Sequence, residues 1–199
     1  MALDFIYKEY YSSPTADKNK INNKPGVDEI LSPDFSEANI KNNLEKLHYN
    51  VIDPIRKAFP PYTNGNNKDI WITSGYRCEE LNNGPKGIKP AGAINSQHRY
   101  GYAVDIFSIK SRASLIFNWC YQNLPAWNQM IWEFPEKGDW VDGTKSPAWV
   151  HISYVEGNNR KGCSLASKRE DLHEMYKTEF TTRSGIYTHG ITLADQNLI

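Results

Sequence analysis

From about Glu37 the chain takes on a helical rhythm. Ile40, Leu44, Leu47, Val51 and Ile55 recur at three- and four-residue intervals, which places them on one stripe of a helix running to about Ala58. Pro54 lies inside this run and predicts a kink, because proline has no N–H to give the helix and its ring crowds the carbonyl four residues back. The stripe is core. His48, just beside it, is expected as a half-buried surface histidine and not as a ligand. Residues 1–38 upstream are polar, rich in Asn and Lys and broken by Pro14, Pro25 and Pro33, the composition of an irregular N-terminal arm.

Downstream the period shortens. Asp69-Ile-Trp-Ile-Thr73 alternates as a strand should, and Ser74-Gly-Tyr-Arg77 leaves it. A long loop rich in Gly, Pro and Asn covers 78–97, and loops of that length inside a compact domain are usually functional. Tyr102–Phe107 reads as a second strand and Ser111–Leu124 as a helix with Leu115, Ile116, Trp119 and Cys120 inward. Gln129–Phe134 and Trp149–Tyr154 read as two more strands. The last two follow each other with no room for a helical crossover, so the expectation is an α+β domain with a small, mostly antiparallel sheet and flanking helices. After Gly157 the chain turns polar. One domain over 1–157, arm included, is therefore expected, with a polar extension at 158–199 holding at most a short helix over 166–177.

Composition narrows the partners. The 199 residues suit one domain, and Lys plus Arg balance Asp plus Glu at 23 each, so no bulk charge draws the protein to nucleic acid or to an acidic membrane face. Aromatic residues make up 13% of the chain, which suits an aromatic-lined groove. Cys78, Cys120 and Cys163 are too few and too scattered for a disulfide framework and read as reduced thiols. The N-terminus shows no basic start with a long apolar run, and no membrane span is present in the sequence. Synthesis in a cytosol without an export signal of its own is expected.

Four short segments carry the chemistry: Ser74-Gly-Tyr-Arg77, Ser96-Gln-His98, Gly101-Tyr-Ala-Val-Asp105 and Trp149-Val-His151. A catalytic zinc site needs three N or O ligands and an open fourth position, which two histidines and a carboxylate satisfy. His98, Asp105 and His151 are such a set. Strand alternation puts Ala103, Asp105 and Phe107 on one face of the second strand and Trp149, His151 and Ser153 on one face of the fourth. Gln129, Ile131 and Glu133 likewise share a face of the third, so Glu133 can turn toward the same point. Taken singly, each of these residues is more often a hydrogen-bonded core or turn residue than a ligand.

Together the segments resemble, in order and wording, the zinc D-Ala-D-Ala carboxypeptidase/endopeptidase family that shares its fold with the Hedgehog signalling domain, especially its small bacteriophage-type branch. The matching text is Ser74–Arg77, Leu81-Asn82, Ser96–Ile106, Gln129–Glu133 and Trp149–Ser153, within residues 1–157. The resemblance implies that His98, Asp105 and His151 bind Zn2+, that Arg77 stabilises an oxyanion, that Glu133 is the general base, and that Ser96 and Gln97 bind substrate. Tyr76 and Trp149 are expected as groove walls, and Trp71, Trp119 and Trp127 as core. Some members of the family carry the base three residues before the second histidine, where this chain has Ala148. Glu136, Asp139 and Asp142 compete with Glu133 for the role. The implied substrate is bacterial peptidoglycan peptide, cut by a lysin or a virion-associated hydrolase whose 158–199 extension contacts other virion proteins. The alternative is a virion module that keeps zinc while catalysis has lapsed.

Overall fold

The computed structural model describes residues 4–59, 69–84, 93, 95–108, 111–133, 140–141, 144–145, 149–167, 180–183 and 186–190. The arm is more ordered than its composition suggests. A 3-10 turn at Tyr7–Tyr10 precedes helix α1 (Pro14–Asn19), which Ser13 caps by accepting from the Ala16 N–H at 3.2 Å and which ends at Lys20 in the left-handed region. Tyr10, Ala16 and Ile21 from this arm enter the main core.

The periodic segment forms helix α2 (Glu37–Leu47), capped by Ser36, and helix α3 (Asp53–Ala58), joined by a π-helical turn at His48–Ile52. The Asp53 N–H reaches the His48 carbonyl five residues back. The wider turn carries the chain past Pro54, whose ring would collide with the carbonyl four residues earlier in an ordinary helix. Ile40, Leu44, Leu47, Val51 and Ile55 are all fully buried. His48 corrects the expectation of a half-exposed histidine: it is fully buried, with Nδ1 2.7 Å from the Tyr10 hydroxyl and the Phe5 ring 5.5 Å away. The arm folds over it, a contact that local periodicity does not encode.

Strands β1 (Ile70–Ser74), β2 (Ala103–Ser108), β3 (Gln129–Glu133), β6 (Trp149–Ser153), β7 (Gly162–Ser167), β8 (Phe180–Arg183) and β9 (Ile186–Gly190) form a sheet in the order β1-β2-β6-β3-β7-β9-β8. A separate pair, β4 (Trp140–Val141) and β5 (Thr144–Lys145), stands between β3 and β6 in sequence. Every pairing in the main sheet is antiparallel except β3 with β7. The fold is therefore α+β with a mostly antiparallel sheet, as expected. The C-terminal extension contributes three of its strands. Residues 166 and 167, where a helix was expected to begin, are strand, and the rest of that expected helix, with His173, lies outside the described residues.

One sheet face is core. Ile70, Val104, Ile106, Met130, Trp132, Val150 and Ile152 point into the same cluster as the helices; after the short helix α4 (Glu79–Asn83), helix α5 (Ala113–Asn123) packs against β3 and β6, with Phe117 edge-on to Trp132 at 5.3 Å. The inward stripe of α5 is Ala113, Ile116, Phe117 and Cys120; Leu115 is off that phase and 51% exposed, contrary to expectation. The opposite face carries the alternate residues. Trp71, expected in the core, is 42% exposed there beside its cross-strand neighbour Phe107, because Ile70 and Ile72 take the inward positions of β1. Trp127 is buried and Trp119 partly so, as expected.

Candidate metal centre and active site

Register brings the site together on the outward face. Asp105 of β2 stands directly opposite His151 of β6, and His151 stands opposite Ile131 of β3, two pairs along from Glu133 opposite Trp149. His98 reaches the same point from a 3-10 turn, Gln97–Tyr100, that ends at Gly101 with φ +70°. A Cβ at Gly101 would also lie 2.9 Å from the Ile40 carbonyl oxygen, so only glycine lets the turn sit this close to α2 and then enter β2.

Three donor atoms form a triangle. His151 Nδ1 lies 2.9 Å from Asp105 Oδ1, His98 Nε2 lies 3.2 Å from His151 Nδ1, and His98 Nε2 lies 3.3 Å from Asp105 Oδ1. A tetrahedral ion with ligand bonds of about 2.0–2.2 Å separates its donors by roughly 3.3–3.5 Å. The observed edges come close to one face of that tetrahedron, and the fourth vertex is left to a water or substrate atom. These residues therefore fit a zinc ion. The triad is also the one group of three or more His, Cys, Asp or Glu among the described residues with metal-holding geometry.

The surroundings favour ligation. All three residues are buried, at 3%, 6% and 7% exposure. His98 Nδ1 lies 2.7 Å from the Gly75 carbonyl, which can only accept, so the proton sits on Nδ1 and Nε2 is free to bind a cation. Burial, with the Arg77 charge adding to it, holds the His98 imidazole down to about 4, so it is neutral at physiological pH. For Asp105 burial pushes the other way, but the facing His98 imidazole, the Arg77 guanidinium and the His151 ring outweigh it and hold the carboxyl well below the usual carboxylate range.

Arg77 stands behind the triad. Its Nη2 donates to Asp105 Oδ2 at 2.6 Å and its Nε to Ser74 Oγ at 2.7 Å, while its own backbone N–H bonds to the His98 carbonyl at 3.2 Å. The guanidinium thus holds the outer oxygen of the carboxylate while the inner oxygen faces the histidines. Glu133 is half-buried and accepts a hydrogen bond from the Trp149 indole. Burial first, and the Asp105 charge second, raise its carboxyl to about 7. That is where a general base works best at neutral pH.

The other expected residues fall at varied distances from this centre. Trp149 flanks it, through Glu133. Ser96 opens the His98 turn half-buried, and Gln97 donates through Nε2 to Asn128 Oδ1 at 2.9 Å. Tyr76 is 1% exposed inside the core cluster, which leaves it almost no surface to offer a ligand. Ala148, Glu136, Asp139 and Asp142 lie outside the described residues. Cys78, Cys120 and Cys163 are free thiols, the first two buried. Sequence reasoning missed Trp71 and Phe107, whose exposed rings share the outward face with the triad; strand alternation from Asp105 already put Phe107 there.

Among the described residues no helix is long and apolar enough to cross a membrane. No curated protein and no solved structure matches the chain. A family model does: that of Peptidase M15, over residues 38–126, a little under half of the chain. The matched segment holds the long helix, Arg77, His98 and Asp105, and stops before Glu133 and His151. Over this segment the chain is similar to the M15 peptidases.

Proposed function

We propose that the protein is a zinc peptidase that hydrolyses a peptide bond in bacterial peptidoglycan, with His98 Nε2, Asp105 Oδ1 and His151 Nδ1 as the metal ligands. The donor triangle is the observation that carries this reading. When bound there, zinc supplies Lewis-acid polarisation of the substrate carbonyl and makes a water molecule more acidic.

The rest is the work of the chain. Glu133, on the strand next to His151 and diagonal to it by roughly 7–8 Å between backbones, can reach a water placed at the open vertex. Its carboxylate takes the proton from the attacking water and returns it to the leaving amine nitrogen, so the same group acts first as base and then as acid. The Trp149 indole N–H fixes the carboxylate for that exchange. Arg77 keeps Asp105 ionised and oriented, and its charge lies close enough to the triad to offset the negative charge that grows on the carbonyl oxygen. Ser96 and Gln97, beside the first ligand, and the exposed Trp71–Phe107 pair define the two sides from which an extended peptide substrate enters. Action on the wall by a lysin or a virion-associated enzyme fits this chemistry, with the 158–199 extension available for virion contacts.

The test is Glu133→Ala in purified, zinc-loaded protein acting on isolated cell walls. The parent releases peptide fragments, and the variant loses about 10²- to 10⁴-fold in rate while keeping its zinc. Wall binding without cleavage by the parent would refute the enzyme reading and leave a zinc-containing binding module.

A further inference from the structure

The loop that supports the metal centre is itself held by a residue outside the matched family segment. Asn23 is 7% exposed, and its side chain bonds to three backbone groups from two distant parts of the chain. Nδ2 donates to the carbonyls of Tyr11 at 2.8 Å and Tyr76 at 3.1 Å, and Oδ1 accepts from the Cys78 N–H at 2.8 Å. The Tyr76 N–H donates to the Tyr10 carbonyl at 2.6 Å, and three residues further on the Glu79 N–H donates to Asp28 Oδ2 at 2.6 Å. The backbone from Tyr76 to Glu79 is thereby tied to the N-terminal arm by side-chain and main-chain bonds. An irregular buried loop has no strand or helix ladder to satisfy it, so such bonds decide where it lies.

Two of the groups on this loop act on the triad. The Gly75 carbonyl, next to Tyr76, receives the His98 Nδ1 proton, and the Arg77 side chain, between the two residues Asn23 holds, grips Asp105. We propose that Asn23 is a positioning residue for the metal centre: by fixing Tyr76 and Cys78 it sets the Gly75 carbonyl and Arg77, and through them the orientation of two of the three ligands. The arm is then part of the active site's support and not a cover for the core alone. This inference rests on the zinc reading above.

The test uses the full chain, stripped of metal and titrated with Zn2+ against a chromogenic chelator, together with ¹⁵N NMR of the metal-free imidazoles. Asn23→Ala is compared with the parent, with His98→Ala and with Ile116→Val, a fully buried position on α5, the helix that packs against β3 and β6. Partners that orient metal ligands typically contribute about 10- to 100-fold in affinity. Asn23→Ala is expected to bind Zn2+ at least about ten-fold more weakly and to lose the hydrogen-bonded Nδ1–H signal of His98, while Ile116→Val keeps both. Affinity within about two-fold of the parent with an unchanged His98 signal would overturn the proposal. So would an equal loss in Ile116→Val. If the parent itself binds no Zn2+, or His98→Ala binds as the parent does, the zinc reading fails, and the His98 signal alone still decides whether Asn23 orients that ring. Should Asn23→Ala not fold, Asn23→Ser, which retains a short acceptor, carries the same comparison; unfolding of both would mark Asn23 as a folding residue and refute the positioning role.

Discussion

Replacing Gly75 by alanine adds one methyl group in the tightest place near the site. The new Cβ would stand 2.2 Å from the Tyr10 carbonyl oxygen, 3.0 Å from its carbon and 3.1 Å from its Cα. An ordinary contact needs about 3.4 Å or more, so the loop and the arm must separate by about an ångström, and both sides are backbone. That movement breaks the 2.6 Å bond from the Tyr76 N–H to the same Tyr10 oxygen and shifts the Gly75 carbonyl away from His98 Nδ1. Overpacking costs about 1–3 kcal/mol and the lost hydrogen bond about 1 kcal/mol more. Together these come to roughly 2–4 kcal/mol, a fall in Tm of roughly 5–15 °C for a chain of this size. Zn2+ affinity should drop about 10- to 100-fold as His98 loses its orienting carbonyl. Differential scanning calorimetry of the metal-free protein and a chelator-competition titration read the two effects separately. A variant that melts within a degree of the parent and binds Zn2+ equally well would show that this glycine is not required by the approach of Tyr10.

Two further expectations concern charge and metal. The base works as its carboxylate, and burial raises Glu133 to about 7, so kcat/KM should rise with pH through a limb at or below about 7, a bound cation drawing it down. Trp149→Phe removes the indole hydrogen bond that favours the carboxylate and should move this limb to higher pH; a limb that stays put would exclude Glu133 as the titrating base. Saturating Zn2+ at about a hundred times Kd should stabilise the stripped protein by about 2.7 kcal/mol. His151→Ala should abolish that thermal shift, and a shift preserved in the variant would place the metal elsewhere.

The fold was legible where a buried stripe or an alternating strand left its period in the text. Ile40 to Ile55 marked the long helix, and the alternation of β2, β3 and β6 turned Asp105, Glu133 and His151 to one face. Legibility failed where contacts are distant or the period is ambiguous. His48 and Tyr10 meet across 38 positions, and Asn23 reaches Cys78 across 55, distances over which no local pattern speaks. Trp71 was misplaced because a large apolar ring suggests burial, whereas its neighbours Ile70 and Ile72 held the inward phase. In the candidate site, the residue types and their order pointed to the triad. The role of Ser74 and Arg77 as supports of Asp105 emerged only with geometry.

The parallel ladder between β3 and β7 has a bearing on biosynthesis. Glu133 lies on a strand whose outer edge is paired with Gly162–Ala166. A nascent chain ending near Gly157 would present that row of amides as an open template for another molecule's strand, a familiar start to aggregation. Synthesis of Gly162–Ala166 thus closes the border of β3, making the polar stretch after Gly157 a guardian of solubility during maturation.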